Sequence, residues 1–165
     1  TANSKAQTAI NIQKELNAKG FISFSFEQIR DAIIRNKHRF HNNKAKYIVE
    51  ARKFLDIKQK LSEMFKKDGE SGARNWLAEN IKGLGFKESS HMLRNTGCRN
   101  LAILDRHIIN LLHASGEISA RPKTLTKRLY LDIEEKFNNI AKSLNLDSAQ
   151  LDLYMWYIKT GKILK

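Results

Sequence analysis

The sequence has few of the residues that build disulfides or metal clusters. Its 165 residues include one cysteine, Cys98. A single thiol cannot form an internal disulfide, and it falls short of the about four cysteine or histidine ligands that zinc ribbons and iron–sulfur clusters need. His91 and His107 also lack partners at metal-ligand spacing. The sequence therefore predicts no metal site and no cofactor.

Long apolar runs are missing as well. Even the most apolar stretches, such as Leu101 to Leu104, are only a few residues long, whereas a helix that crosses a bilayer needs roughly 20 apolar residues. This excludes a membrane span. No segment at the N-terminus has the charged, apolar and small-residue order of a secretory signal. Together with the lone cysteine, these absences predict an intracellular protein of the cytoplasm or nucleoid.

Acidic residues are outnumbered, and the positive excess is the strongest compositional signal. Lysine and arginine total 30, aspartate and glutamate total 17, and the formal net charge is +13. No low-complexity basic tail carries this charge. A folded protein of this kind is expected to bind a polyanion, because each phosphate contact releases counterions. The composition favours a nucleic-acid partner, although solubility alone also accounts for excess charge.

Proline and linker-like segments are scarce, and apolar residues recur at helical spacing almost throughout. Proline occurs once, at Pro122, and no Gly/Ser-rich or repeated segment marks a linker. Ser25 with Gln28, and Asp147 with Gln150, have the spacing of capping boxes that begin helices. The pattern predicts an all-α fold of about eight or nine helices.

Three segments carry the helical apolar spacing most clearly, and four glycines stand where helices are expected to end. The apolar segments are Tyr47 to Leu55, Ile57 to Phe65 and Leu129 to Leu144, and the glycines are Gly20, Gly97, Gly116 and Gly161. These segments are expected to face a core.

A short turn between two expected helices has the glycine pattern of a helix-hairpin-helix. Trp76 to Ile81 ends one helix, Gly83-Leu84-Gly85 makes the turn, and Phe86 to Asn95 begins the next helix. The glycines allow a sharp turn and leave backbone amides near a helix N-terminus open to a DNA phosphate. Such a contact binds the backbone without reading sequence. An ordinary helical turn with a glycine cap would show the same pattern.

Lys87 and Asp105 add chemistry to this hairpin. Lys87 lies in the first turn of the second hairpin helix, and Asp105 follows the apolar run from Leu101 to Leu104. Asp105 is expected to cap the next helix through the amides of His107 or Ile108. If the apolar run lies against the hairpin, the two side chains meet at one pocket. Taken singly, the lysine fits a phosphate contact and the aspartate fits a helix cap.

The segment from Ile81 to Lys87, followed by Leu104-Asp105-Arg106-His107, resembles the signature of the helix-hairpin-helix base-excision DNA glycosylases. More narrowly, the chain resembles the type-2 (archaeal-type) 8-oxoguanine DNA glycosylase/AP lyases over nearly its whole length. The segments that carry this second resemblance are Arg39-Phe40, Lys44 to Val49, Lys87 to His91, Leu93 to Asn95, Leu151 to Tyr157 and Gly161 to Lys165.

The resemblance implies a two-lobed helix-hairpin-helix glycosylase fold that lacks its N-terminal helices here. One lobe is expected to combine residues 1–20 with 105–165. The other is expected to span 21–104 and to contain the hairpin at about 74–97.

The resemblance also implies a role for each candidate site residue. Lys87 is the nucleophile that attacks the sugar as a neutral amine, and Asp105 is the essential acid. Because a helix N-terminus and burial both disfavour an ammonium group, the position of Lys87 suits this role. Phe40 and Trp156 sandwich the extruded base, and the terminal carboxylate of Lys165 accepts the N7 hydrogen that 8-oxoguanine has and guanine lacks.

Gly83, Gly85 and Arg39 are expected at the DNA backbone, with Arg39 also a candidate for filling the gap in the duplex or touching the opposite base. Core packing is the alternative for Phe40 and Trp156. A frayed chain end is the alternative for Lys165.

The sequence thus predicts a bifunctional DNA repair enzyme that excises 8-oxoguanine through a lysine Schiff base and nicks the strand by β-elimination. Its expected partner is double-stranded DNA with an oxidised purine, and it is expected to be a monomer without an obligate protein partner. A monofunctional helix-hairpin-helix glycosylase, which uses water instead of the lysine, is one alternative. A non-catalytic helix-hairpin-helix DNA-binding module is the other.

Overall fold

The computed structural model describes residues 6–161, and this part of the chain is helical, with no strand. It contains eight α-helices and one 3-10 turn at Arg52–Phe54. The α-helices are α1 (Ala6–Ser23), α2 (Phe26–Arg35), α3 (His41–Ala51), α4 (Ile57–Asn80), α5 (Phe86–Asn95), α6 (Arg106–Ala114), α7 (Lys127–Ser143) and α8 (Ser148–Thr160). The all-α prediction is confirmed. None of these helices combines the length and the apolar character that a bilayer crossing requires.

Helices α2 and α8 begin at the predicted capping boxes. The Ser25 hydroxyl accepts the amide of Gln28, whose side chain accepts the Ser25 amide in return. Asp147 and Gln150 repeat this exchange at α8. Each box satisfies two amides that lack a partner inside the helix.

Three of the four glycines end helices as predicted. Gly97, Gly116 and Gly161 follow α5, α6 and α8 with φ angles of 110°, 82° and 67°. Gly20 does not act in this way, because the break in α1 falls at Asn17, with φ 48° and ψ −172°. The Asn17 side chain accepts the amides of Lys19 and Gly20, so Gly20 lies inside the helical turn that Asn17 begins.

The helical apolar pattern predicted from Tyr47 to Leu55 also differs from the structure. Helix α3 ends at Ala51 and tightens into the 3-10 turn, which changes the angular step per residue. Leu55 is consequently 69% exposed instead of facing a core.

The chain forms two compact units, each with a core of its own. The first unit combines residues up to 59 with 81–83, and the second combines 60–80 with the residues from 84 onward. In the first unit, Leu16 of α1 is buried with Ile29 and Ile33 of α2. In the second unit, α6, α7 and α8 enclose a larger core around Leu104 and Phe137. These units have different boundaries from the expected lobes, 1–20 with 105–165 and 21–104, and the lobe division stays a prediction.

Candidate active site

The hairpin turn joins α4 to α5, and its two glycines serve different purposes. Gly83 has a φ of 89°, and a Cβ there would lie 2.4 Å from Cδ2 of Tyr47, so both conformation and space require glycine. Gly85 has a φ of −90°, which other residues adopt readily. It is the N-cap of α5 and supplies no side chain to cap the helix. The turn depends on Gly83, while Gly85 adds no side chain of its own at the start of α5.

Lys87 lies in the first turn of α5, next to a carboxylate. Its Nζ is 2.8 Å from Oε1 of Glu88, and 35% of the lysine side chain and 39% of the glutamate side chain are exposed. Water therefore reaches both side chains, and the ion pair is partly exposed.

Glu88 also binds the backbone at the start of α5. Burial raises the pKa of the Glu88 carboxyl, but Lys87 and hydrogen bonds from the amides of Glu88 and Gly85 outweigh it and bring the pKa below its ordinary value. The carboxylate thus lies where the sequence predicts a DNA phosphate. Sequence reasoning missed Glu88, although an acidic residue three positions after a helix N-cap is half of a capping box.

Asp105 is the N-cap of α6, as predicted. Its Oδ1 accepts the amides of His107 at 2.8 Å and Ile108 at 2.9 Å. The residue is half-buried. One carboxylate oxygen, Oδ1, therefore fixes the side chain, which lines the adjoining cavity.

A buried polar network holds the segment that leads to Asp105. The amide of Ala102 donates to Oε1 of Glu134 at 2.9 Å, and the Tyr130 hydroxyl donates to the carbonyl of Ala102 at 2.7 Å. Nη1 of Arg74 contacts both oxygens of Glu134, at 2.5 and 2.6 Å. The Arg74 guanidinium also lies 4.9 Å from the ring centroid of Phe86, the first residue of α5. This network connects the backbone before Asp105 to the helix that carries Lys87.

Helix α8 contacts both α5 and α6 through side chains. Nη1 of Arg94 on α5 lies 2.5 Å from Oδ2 of Asp152 on α8, and both side chains are almost fully buried. One turn further along α8, the half-buried Trp156 packs edge-on against His107 of α6, with ring centroids 5.2 Å apart. Trp156 is thereby placed beside the start of α6. Lys165 lies outside the described residues.

Lys87 and Asp105 line two neighbouring cavities. The cavity at Lys87 has a volume of about 420 Å³, and the cavity at Asp105 has a volume of about 360 Å³. Leu104 and Leu125 belong to the walls of both. Between residues 84 and 161, the ion pair of Lys87 is with Glu88 and not with Asp105. The sequence predicts one shared pocket, and the structure shows two adjoining cavities that have two leucines in common.

Phe40 and Arg39 lie in the first unit, at the start of α3. Phe40 is the N-cap residue of α3 and is 38% exposed, and the Arg39 guanidinium lies 4.9 Å from its ring centroid. The buried His38 accepts the amide of Phe40 at Nδ1. Burial, with smaller effects from Lys44 and Arg39, lowers the pKa of His38. Phe40 is therefore a surface aromatic and not a core residue.

Cys98 has no features of a reactive thiol. It is buried near the end of α5, and burial, with a smaller effect of Glu70, raises its pKa to about 11. No group of three or more potential metal ligands occurs between residues 6 and 161.

Residues 1–146 match the family model described as 8-oxoguanine DNA glycosylase. The chain belongs to the 8-oxoguanine DNA glycosylase family. It is 45% identical to the 8-oxoguanine DNA glycosylase/AP lyase of Methanocaldococcus jannaschii over all of this chain and 78% of that protein. Identity to the protein of the same name from Korarchaeum cryptofilum is 39%, again over 100% of this chain and 78% of the relative.

Solved structures of the 8-oxoguanine DNA glycosylase family share the fold. The crystal structure of the Methanocaldococcus jannaschii enzyme in complex with 15mer DNA containing 8-oxoguanine matches with a TM-score of 0.92 and 43% identity, over 100% of this chain and 78% of that one. The enzyme of Thermotoga maritima matches with a TM-score of 0.88 and 39% identity, over 99% and 76%. The helical glycosylase fold that the resemblance implied is confirmed.

Proposed function

We propose that this chain excises 8-oxoguanine from duplex DNA and nicks the strand, with Lys87 as the nucleophile. The observation that carries the proposal is the place of Lys87, at the start of a helix-hairpin-helix and beside the cavity that adjoins Asp105, in a member of this family. Relatives named 8-oxoguanine DNA glycosylase/AP lyase support the reaction, and a relative bound to DNA containing 8-oxoguanine supports the partner. The charge of +13 suits that partner.

The first step is attack by the lysine amine. After the nucleotide leaves the stack, the lone pair of neutral Lys87 forms a bond to C1′ while the glycosidic bond breaks and its electron pair leaves with the base. The base takes up the proton that Nζ loses once it is bonded to C1′. The nitrogen lone pair then opens the sugar ring, O4′ takes up a proton from water, and a protonated Schiff base forms between C1′ and Nζ. Loss of a C2′ proton eliminates the 3′ phosphate and cuts the strand.

Asp105 acts on the charge that develops in this step. As the base departs, positive charge builds on the sugar, and an ionised carboxylate held in place stabilises it without having to reorganise. The amides of His107 and Ile108 hold one carboxylate oxygen of Asp105. The second oxygen is the one that serves the sugar.

Recognition of the base falls to Phe40, Trp156 and Lys165. The exposure of Phe40 supports a role in stacking, because an aromatic side chain that packs into no core is available to a base. Trp156 packs beside the helix that Asp105 caps. The carboxylate of Lys165 would select 8-oxoguanine by accepting its N7 hydrogen. Gly83, Gly85 and Arg39 complete the proposal as contacts to the DNA backbone.

The test uses matched duplexes that carry one 8-oxoguanine or one guanine at the same position. The purified chain should release 8-oxoguanine and nick only the first duplex. Excision without nicking would favour the monofunctional glycosylase, and binding without excision would favour the non-catalytic module. A monomeric state, independence from a protein partner and a location in the cytoplasm or nucleoid stay predictions.

A further inference from the structure

The cavity beside Asp105 has walls from two elements. Asp105, Arg106 and Asn110 come from the start of α6, and Arg121, Pro122 and Lys123 come from the segment that joins α6 to α7. The cavity has a volume of about 360 Å³ and shares Leu104 and Leu125 with the cavity at Lys87. The proposed mechanism uses Lys87 and Asp105. It gives no role to the basic wall of this cavity, which consists of Arg106, Arg121 and Lys123.

Three cations surround the single carboxylate of this cavity. None of Arg106, Arg121 and Lys123 lies within ion-pair distance of an acidic side chain in the described range 6–161. Other cations of the same unit do have such partners: Arg94 pairs with Asp152, and Lys127 pairs with Glu79. The cavity therefore carries uncompensated positive charge.

The segment that carries Arg121 and Lys123 is anchored to the core. Ile118 is buried in the core of the second unit, and the amides of Glu117 and Ile118 both donate to the carbonyl of Leu112. Pro122 fixes one backbone angle between the two basic residues and restricts the residue before it. Both side chains accordingly start from a backbone that is held against α6.

The local charges indicate the chemical class of the ligand. Asp105 alone would repel a DNA phosphate, yet excision requires the sugar, and with it the flanking phosphates, to come close to Asp105. Three cations change the formal charge of the cavity from negative to positive. A guanidinium and an ammonium together suit the oxygens of a phosphodiester, since arginine binds them in pairs and lysine acts as a point charge.

We propose that the cavity beside Asp105 binds a phosphodiester that flanks the extruded nucleotide, with Arg121 and Lys123 as its ligands. The proposal rests on the proposed function and adds a subsite to it. The positive wall offsets the repulsion between Asp105 and the strand, so that the carboxylate can approach the sugar without expelling the backbone.

The test removes charge from the DNA and, separately, from the protein side of the proposed contact. All proteins carry Lys87→Gln so that the DNA stays uncut, and the duplexes carry 8-oxoguanine with a neutral methylphosphonate in place of the phosphate on its 5′ or its 3′ side. One neutral linkage should weaken binding about tenfold, which corresponds to the loss of one charged hydrogen bond. The double variant Arg121→Gln/Lys123→Gln should bind the normal duplex more weakly. In that variant the same neutral linkage should cause little further loss of binding.

The controls are Lys142→Gln, an exposed lysine that lines neither cavity, and a methylphosphonate far from the lesion. Thermal melts check that the variants are folded. Additive losses, in which the double variant responds to both neutral linkages as strongly as the parent, would overturn the inference. Excision by the wild-type chain is measured in parallel. Its absence would refute the proposed function, whereas excision together with additive losses would refute the phosphate site alone.

Discussion

Nζ of Lys87 lies 2.8 Å from Oε1 of Glu88, its neighbour in the chain. The glutamate carboxylate also accepts the amides of Gly85 and Glu88 at the start of α5. Glu88 thus contacts both the proposed nucleophile and the amides that the hairpin offers to a phosphate. For Lys87 to attack a sugar, its Nζ has to leave this contact.

Glu88→Gln should make Lys87 easier to release from its partner. The neutral amide removes the ion pair, so borohydride trapping should become faster by up to about fivefold, equivalent to about 1 kcal/mol. Trapping rates of wild type and variant under single-turnover conditions give this ratio. Glu135→Gln, a change at an exposed glutamate of α7, is the control and should leave the rate unchanged. A trapping rate in Glu88→Gln no higher than that of wild type would show that the pair does not restrain the lysine.

The two hairpin glycines should respond differently to alanine. Gly83→Ala forces a side chain onto a backbone with a φ of 89° and against Tyr47, so it should lower the free energy of unfolding by at least about 1–2 kcal/mol. Gly85→Ala should cost less than about 1 kcal/mol because its backbone is not left-handed. Its methyl group should nevertheless weaken DNA binding by covering the start of α5.

Urea unfolding and DNA titration of the two alanine variants separate these effects. Equal losses of stability in both variants would contradict the distinction between a glycine required by the turn and a glycine whose backbone other residues adopt readily.

Tyr130→Phe should lower the stability of the protein, because it breaks the polar network that holds the segment before Asp105. Burial, despite opposing hydrogen bonds, raises the pKa of Tyr130 from 10.0 to about 12. Because the folded-state pKa lies above the unfolded-state value, the stability linked to this proton is complete below pH 10 and is lost as pH rises through 12. Near neutral pH, the variant should be less stable by about 1–3 kcal/mol, since the buried carbonyl of Ala102 loses its donor.

Two measurements check the Tyr130 prediction. In urea unfolding, the difference between wild type and variant should shrink between pH 10 and pH 12. In an absorbance titration of tyrosinate, the variant should lack the component that ionises last. A difference in stability that stays constant over this range would contradict the buried position of the hydroxyl.

Local signals predicted the parts of the fold that depend on residues three or four positions apart. The caps at Ser25, Asp105 and Asp147 join a side chain to an amide in the next turn, so short spacing is enough to find them. The break in α1 falls at Asn17 and not at Gly20, because an asparagine side chain supplies its own hydrogen bonds to the next turn.

The parts that the sequence did not predict depend on tertiary packing. Arg74 and Glu134 are 60 positions apart, and no local pattern pairs them. The basic wall of the cavity at Asp105 arises because a segment anchored by Ile118 returns to α6. Leu104 and Leu125 line both cavities, and sequence spacing alone does not place a residue in a cavity wall.

The proposed mechanism requires the Lys87 amine to form the covalent bond to DNA. Borohydride added during incubation with an 8-oxoguanine duplex reduces the Schiff base to a stable amine, and gel electrophoresis separates the adduct from free protein. Wild type and the charge-matched control Lys142→Gln should give the adduct, and peptide mapping should locate it at Lys87. Lys87→Gln should give none while still binding the duplex. An adduct of normal yield in Lys87→Gln would show that another amine forms the bond.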